Sequence, residues 1–244
     1  MNPPADAFQI LHEDPQCLVV VKPSGLLTQA PPGIDSLEIR VKRYLRQSSE
    51  PGREPYLGVP HRLDRPASGV MVFAKTRTAA QRISEQFQDQ RIEKNYWAIV
   101  EGALTEESGT WIDSMRKVEG EARSEICAEN DPGSQRAVLH FTKQGQAGDF
   151  TWLAIKLETG RTHQIRLQTG SRGLPILGDD LYGSKVGFGE AFADPRQRAI
   201  ALHARDLSFF HPKTRELMRW VAPVTSDWQE QLRKLSPQCL EEQL

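Results

Sequence analysis

Apolar and polar residues follow two different periods along this chain, and each stretch predicts its own element. Cys17 to Lys22 (CLVVVK) is an apolar run that stops at Pro23 and Gly25, so it predicts a short buried strand with Lys22 at its end. Leu37, Val41, Tyr44 and Leu45 recur at helical spacing after Ser36, a candidate N-cap, and predict an amphipathic helix of about three turns. A loop rich in Pro and Gly, Ser49 to Pro60, leads into HRLDRPASG and then GVMVFAK, which has strand composition; the polar motif is a loop entering a strand. Ala79, Ala80, Ile83 and Phe87 mark a second helix, and in IEKNYWAIVEG the residues Ile92, Lys94, Tyr96, Ala98 and Val100 share one face of a strand. Further strands are predicted over Arg136 to Lys143, Phe150 to Glu158, Ala199 to Phe209 and Glu216 to Val221, with HPKT as a tight turn between the last two. Thr162, a candidate cap, opens the helix-like stretch THQIRLQTGSRG. Ser226 and Gln229 form a capping-box pattern ahead of Trp228, Leu232 and Leu235, which predicts a C-terminal helix over about 226–236. Strands outnumber helices, so the expected class is α+β: one mixed, largely antiparallel sheet with flanking helices.

Composition narrows the picture. With 244 residues, 38% hydrophobic and 26% charged, the chain can bury a sizeable core in one or two domains and is not disordered. No apolar run approaches the roughly 20 residues of a membrane span, and MNPPADAF lacks the basic and apolar regions of a signal peptide. The expectation is a soluble cytoplasmic protein with no membrane partner. Cys17, Cys127 and Cys239 are too few and too scattered for a disulfide framework or for the paired spacing of a zinc site. The net charge of -1 conceals clusters at Arg62, Arg65, Lys75, Arg77, Arg82, Arg91 and Lys94 and at Arg161, Arg166 and Arg172. By charge alone these are solvated faces; they become nucleic-acid contacts only if other features point there.

Asp64 is the first such feature, because Arg62 and Arg65 beside it in sequence favour an ionised carboxylate suited to act as nucleophile or base. Taken alone, an aspartate in such a loop serves equally as an ion-pair partner or a loop cap. The larger pattern is more specific. HRLDRPASGVMVFAKT resembles the signature loop and strand of RluA-type pseudouridine synthases, and VVVKPSGLLT, EKNYWAIVEG, GRTHQIRLQTGSRGLPILGDDLYG and LHARDLSFFHPKT, the last leading to Ala222 and Pro223, match in family order over roughly residues 18 to 223. The resemblance implies a single pseudouridine synthase catalytic domain spanning 1–244, with its core at about 17–223, a central active-site cleft and no separate N-terminal RNA-binding domain. It also implies isomerisation of uridine to pseudouridine in transfer or ribosomal RNA without cofactor or metal.

By the same resemblance, Asp64 attacks C1′ of the uridine or removes its 2′ proton. Arg166 pairs with that aspartate through a two-point contact that a lysine cannot copy. Tyr96 stacks on the displaced uracil. The target must leave the RNA stack, and Arg62 can fill the space left behind. His61 lies on the RNA side of the loop or, equally, only caps it; Arg65, Arg161, His163 and Gln164 complete the expected RNA-binding set. Gly160, Gly173, Asp179, Tyr182 and Gly183 are read as residues that set turns and support the cleft. His163, His203 and His211 match no common zinc spacing. Two positions depart from the family pattern, Ala67 in place of a common threonine and Gln168 in place of a common histidine, which bears on substrate choice more than on chemistry. The competing readings are a non-catalytic RNA-binding or RNA-folding factor on the same fold, and a hydrolase that releases uracil. The oligomeric state is not encoded in these patterns, and a monomer is assumed.

Overall fold

A computed structural model describes residues 8–48, 50, 52 and 54–236. Cys239 and the acidic end of the chain lie outside the described residues, as do Ser49, Pro51 and Arg53 of the predicted loop. In chain order the strands are β1 Gln9–Glu13, β2 Cys17–Lys22, β3 Ser68–Ala74, β4 Glu93–Glu101, β5 Ser108–Lys117, β6 Ser124–Ile126, β7 Gln135–Ala147, β8 Phe150–Leu157, β9 Leu202–Phe210 and β10 Leu217–Val221. The α-helices are α1 Leu37–Gln47, α2 Arg77–Gln88, α3 Gln164–Gly170 and α4 Ser226–Leu235. The fold is α+β with a mixed sheet, as expected. The chain divides into two compact units, Met1–Glu93 with Ala204–Ala222, and Lys94–His203 with Pro223–Leu244.

In the first unit the strand order is β1-β2-β3-β9, with β10 on β9. The apolar run of β2 pairs antiparallel with β3, from Cys17 opposite Ala74 to Lys22 opposite Gly69, and Leu18, Val19, Val20, Val70, Met71, Val72 and Phe73 are buried. Helix α1 begins as predicted, with Ser36 accepting from the amide of Ile39, and it buries Leu37, Val41 and Leu45. Helix α2 is capped by Thr76 and buries Ala79 and Ile83. Its Gln86 exchanges two 2.8 Å hydrogen bonds with the backbone of Phe210, so a side-chain amide takes the place of a neighbouring strand there. Gly69 has a positive φ of 123°, and a Cβ at this position would overlap the backbone of Ala204. Only glycine permits that approach.

The second unit is built on β4-β8-β7-β5-β6, antiparallel at every pairing. The alternation predicted for the β4 segment gives way to continuous burial at its C-terminal half, where Trp97, Ala98, Ile99 and Val100 are all buried. Helix α4 contributes Trp228, Leu232 and Leu235, and the Trp228 ring packs on Trp97, Phe188 and His203. Two predicted caps are displaced. The N-cap of α4 is Thr225 without a side-chain bond, so Ser226 is the first helical residue rather than the cap. The N-cap of α3 is His163, held in the left-handed conformation at φ 56°, while the carbonyl of Thr162 accepts from the Ser124 hydroxyl.

Gly69→Ala should lower the unfolding free energy by about 3 kcal/mol or more, since both a left-handed φ and a backbone overlap must be relieved. Urea denaturation of the variant beside wild type measures this; a loss below about 1 kcal/mol would show that the close approach to Ala204 is not a constraint.

Candidate active site

In the first unit the site begins with a loop fastened at three points. His61 Nε2 accepts from the Val72 amide at 3.0 Å, and its ring stacks on Phe87 with centroids 4.6 Å apart. Both peptide groups of Leu63 meet the Thr28 hydroxyl, which donates to the Leu63 carbonyl at 2.9 Å and accepts from its amide at 3.2 Å. The Arg65 carbonyl accepts from Lys22 Nζ at 3.1 Å. Asp64 lies between the second and third of these points and is half-buried. Its own carbonyl closes a turn by accepting from the Ala67 amide. The backbone on both sides of the carboxylate is thus held, which fixes where the side chain starts.

Lys22 is fully buried, and its ammonium donates to three carbonyls: Pro23 at 2.8 Å, Leu26 at 2.7 Å and Arg65. Three acceptors match its three N–H groups. Burial lowers its pKa to about 7 against the opposing pull of the Asp64 charge. Neither Lys22 nor Thr28 was assigned a role from the sequence, although both lie in VVVKPSGLLT; the signal was a lysine closing an apolar strand, a place where a cation must find partners. Arg62 is exposed. Arg65 is half-buried, and its Nε is buried without a hydrogen-bond partner among the described residues.

In the second unit Tyr96 is half-buried on β4, opposite Ile155 of β8. Lys94, two residues earlier and on the same face, has its pKa lowered by burial and by the charge of Arg161. Arg161 also donates from Nε to the Arg136 carbonyl at 3.0 Å. Arg166, 5% exposed on α3, is gripped by Asp179 in a two-point contact, Nε to Oδ2 at 2.7 Å and Nη2 to Oδ1 at 2.8 Å. Its guanidinium also lies 5.2 Å from the centre of the Tyr182 ring. Asp179, read from the sequence as a turn former, is therefore a carboxylate that orients Arg166. The Tyr182 hydroxyl in turn meets His163 Nδ1 at 3.0 Å and accepts from the Ser124 amide.

Gln164 requires a correction. It was expected to contact RNA, but it is 3% exposed and its amide is engaged within the protein. Oε1 accepts from Thr159 and from the Arg161 amide, while Nε2 donates to the Val138 carbonyl and to Gln168 Oε1. A side chain with all four bonds made internally has none left for a nucleotide. Gln168 extends the same network, donating from Nε2 to Asp113 at 2.7 Å.

Residues 16–171 match the family model described as RNA pseudouridylate synthase. The chain is 32% identical to an uncharacterized RNA pseudouridine synthase of Synechocystis sp. over 227 residues, covering 92% of this chain and 68% of the relative. It is 34% identical to ribosomal large subunit pseudouridine synthase D of Pseudomonas aeruginosa, covering 91% of this chain and 69% of that protein. The corresponding protein of Haemophilus influenzae is 32% identical, with 97% and 73% covered. Among solved structures, human RNA pseudouridylate synthase domain containing 4 shares the fold, with a TM-score of 0.74 at 21% identity over 93% of this chain and 92% of that one.

Two measurements probe these supports. Lys22→Met strands three carbonyls and should cost about 3 kcal/mol or more in urea unfolding. Because the pKa of Lys22 is depressed on folding, the unfolded chain binds the extra proton above about pH 7; wild type should gain stability relative to the variant as pH rises from there, and a flat difference would remove Lys22 as the titrating group. Asp179→Ala should destabilise by about 3–5 kcal/mol, as expected when one partner of a buried pair is removed, and should reduce turnover more than RNA affinity. Equal losses in kcat and in RNA binding would show that Asp179 supports the fold without orienting Arg166 for the reaction.

Proposed function

This chain belongs to the RNA pseudouridylate synthase family and is an isomerase that converts uridine in RNA to pseudouridine; from that premise we propose that its substrate is ribosomal RNA and that Asp64 carries the reaction. The observation behind the choice of substrate is the similarity, over nine-tenths of the chain, to proteins named ribosomal large subunit pseudouridine synthase D. In the bacteria that carry these relatives the ribosome is assembled in the cytoplasm, which is where this reading places the protein.

The reaction breaks the N1–C1′ bond, turns the uracil and joins C5 to C1′; C5 gives up its proton to solvent and N1 gains one, so the product is an isomer of the substrate and no water is added across a bond. A carboxylate, an aromatic platform and a guanidinium meet its needs. Asp64 supplies the first, acting on C1′ or on the 2′ proton, and its fastened loop limits the motion that would have to be lost on reaching the transition state. Tyr96 supplies the platform on which the displaced uracil stacks, a contact worth about 1–3 kcal/mol per base. Arg166 supplies the guanidinium, already set in one orientation by Asp179. Arg62, exposed beside Asp64, is the proposed contact with the opened RNA, where it can stack and bind phosphate together. His61 is turned inward, to Val72 and Phe87, which favours its loop-capping role over an RNA contact.

The test is tritium release from RNA labelled at uracil C5, with separate ribosomal and transfer RNA pools, for wild type, Asp64→Ala and Arg166→Lys. Wild type should release tritium from ribosomal RNA, Asp64→Ala should release none while binding RNA within a few-fold of wild type, and Arg166→Lys should turn over at least tenfold more slowly. Release from transfer RNA alone would overturn the substrate assignment; wild-type release by Asp64→Ala would overturn the mechanism.

A further inference from the structure

The end of β2 opposite Lys22 carries a cluster that the isomerase reaction does not use. The turn from β1 to β2 is closed by Asp14, whose Oδ1 accepts from the amides of Gln16 at 2.6 Å and Cys17 at 2.8 Å. Its Oδ2 faces three other groups: His12 Nε2 at 3.1 Å, His211 Nε2 at 2.8 Å and Cys17 Sγ at 3.9 Å. The donor atoms of His12, Asp14 and Cys17 all lie within 4.8 Å of one another. His211 differs from His12 in one respect that decides its part. Its Nδ1 accepts from the amides of Thr214 at 3.0 Å and Lys213 at 3.3 Å, so its proton resides on Nε2 and is donated to Asp14.

We propose that His12, Asp14 and Cys17 form a binding site for a zinc-class divalent metal ion, with His211 as the outer residue that orients Asp14. The donor set is one imidazole nitrogen, one carboxylate oxygen and one thiolate sulfur, which suits zinc or cobalt and disfavours magnesium and calcium, which take oxygen alone. Tetrahedral bonds of about 2.0–2.3 Å to such donors place them about 3.3–3.6 Å apart. The spacings of 3.1 and 3.9 Å around Asp14 need only a few tenths of an ångström of adjustment, while the third, between the His12 nitrogen and Cys17 Sγ, lies within 4.8 Å and must close toward about 3.6 Å. The hydrogen bond from His211 to the ligating carboxylate is the arrangement found in the outer shell of metal sites. Cys17 is fully buried, whereas the side chains of His12 and Asp14 are 27% and 22% exposed, so the ion enters from their side and the fourth position is left for water.

On binding, the Cys17 thiol gives its proton to solvent and becomes the thiolate ligand, while the His12 proton moves from Nε2 to Nδ1; the thiolate and the Asp14 carboxylate then balance the charge of the ion. Burial, reinforced by the Asp14 charge, raises the pKa of the Cys17 thiol to about 12, so without an ion this cysteine stays protonated and unreactive. The site clamps the start of β2 to β1 and, through His211, to the turn after β9. Five residues of extended strand, roughly 16 Å, separate Cys17 from Lys22, so the ion stabilises the fold and takes no part in the isomerisation.

The test uses the full chain, stripped with a chelator under reducing conditions and titrated with Co2+ and then Zn2+. One Co2+ per chain should bind with a near-ultraviolet sulfur-to-cobalt charge-transfer band, and one Zn2+ should displace it. Cys17→Ala should abolish the band. His12→Ala, whose folding is checked by circular dichroism because the side chain is partly buried against Trp220, should weaken Zn2+ binding at least tenfold and leave tritium release from RNA unchanged. The proposal is overturned if the folded wild type shows no band, if the band persists in Cys17→Ala and so arises from another cysteine, or if His12→Ala binds Zn2+ as tightly as wild type.

Discussion

A charged ammonium enclosed by backbone is the constraint on which the first unit depends. Taking an ion of this kind out of water costs several kcal/mol, and three carbonyls with the charge of Asp64 offset only part of that cost, which is why burial still lowers the Lys22 pKa. Two of those carbonyls, of Pro23 and Leu26, belong to the turn that follows β2, and the third, of Arg65, belongs to the loop that precedes β3. One side chain therefore joins two irregular segments that no strand pairing could register. Thr28 repeats the device one step away, since it sits in the first segment and holds Leu63 in the second. A loop of this kind is ordinarily among the more mobile parts of a fold, and here the position of the proposed reactive carboxylate is set by buried polar contacts instead.

The second unit solves the same problem with a different chemistry. Arg166 projects from a helix of only seven residues, too short to hold itself by backbone bonding alone. Its orientation comes from Asp179 and Tyr182, and the helix is tied down by the Gln164 and Gln168 amides to β7 and β5. Polar groups buried in this way contribute little net stability but leave few alternative arrangements, because each other arrangement strands a donor or acceptor. The stiffness of Lys22 and Asp64 in one unit and of Arg166 in the other thus has a common physical origin.

Much of this could be read from the sequence where a local rule decides. The apolar run CLVVVK, the caps Ser36 before α1 and the HPKT turn between β9 and β10 all depend on neighbours a few residues apart, and they appear in place. The displaced caps of α3 and α4 show the limit. Thr162 and Ser226 both have the right chemistry, but the Thr162 carbonyl is engaged by Ser124 from β6, a partner 38 residues away that no local pattern reveals. The same reason explains why the sequence pattern points to a turn role for Asp179 and an RNA contact for Gln164. Both occur in a motif with the arginine, and only tertiary structure distinguishes the residue that touches Arg166 from the one that braces the helix beneath it. Strands β1, β5 and β6 carry weak alternation that does not mark them as strands; β5 pairs with the nearby β6 over three residues only, and its longer pairing is with β7, from Ser108 opposite Thr142 to Met115 opposite Gln135.

The two departures from the family pattern bear on substrate choice in a way that burial clarifies. Ala67 is 2% exposed and Gln168 is fully buried, so neither side chain can meet a nucleotide directly. A hydroxyl absent at Ala67 changes the bonding available to the turn that the Asp64 carbonyl closes, and an amide at Gln168 links α3 to Asp113 of β5. Any influence on which uridine is modified must then pass through the shape of the Asp64 loop and the seating of α3. Under the proposed reading, direct selection falls to exposed groups such as Arg62, where phosphate and stacking contacts would set register without reading a base edge. Specificity of this kind would follow the fold of the RNA more closely than its sequence.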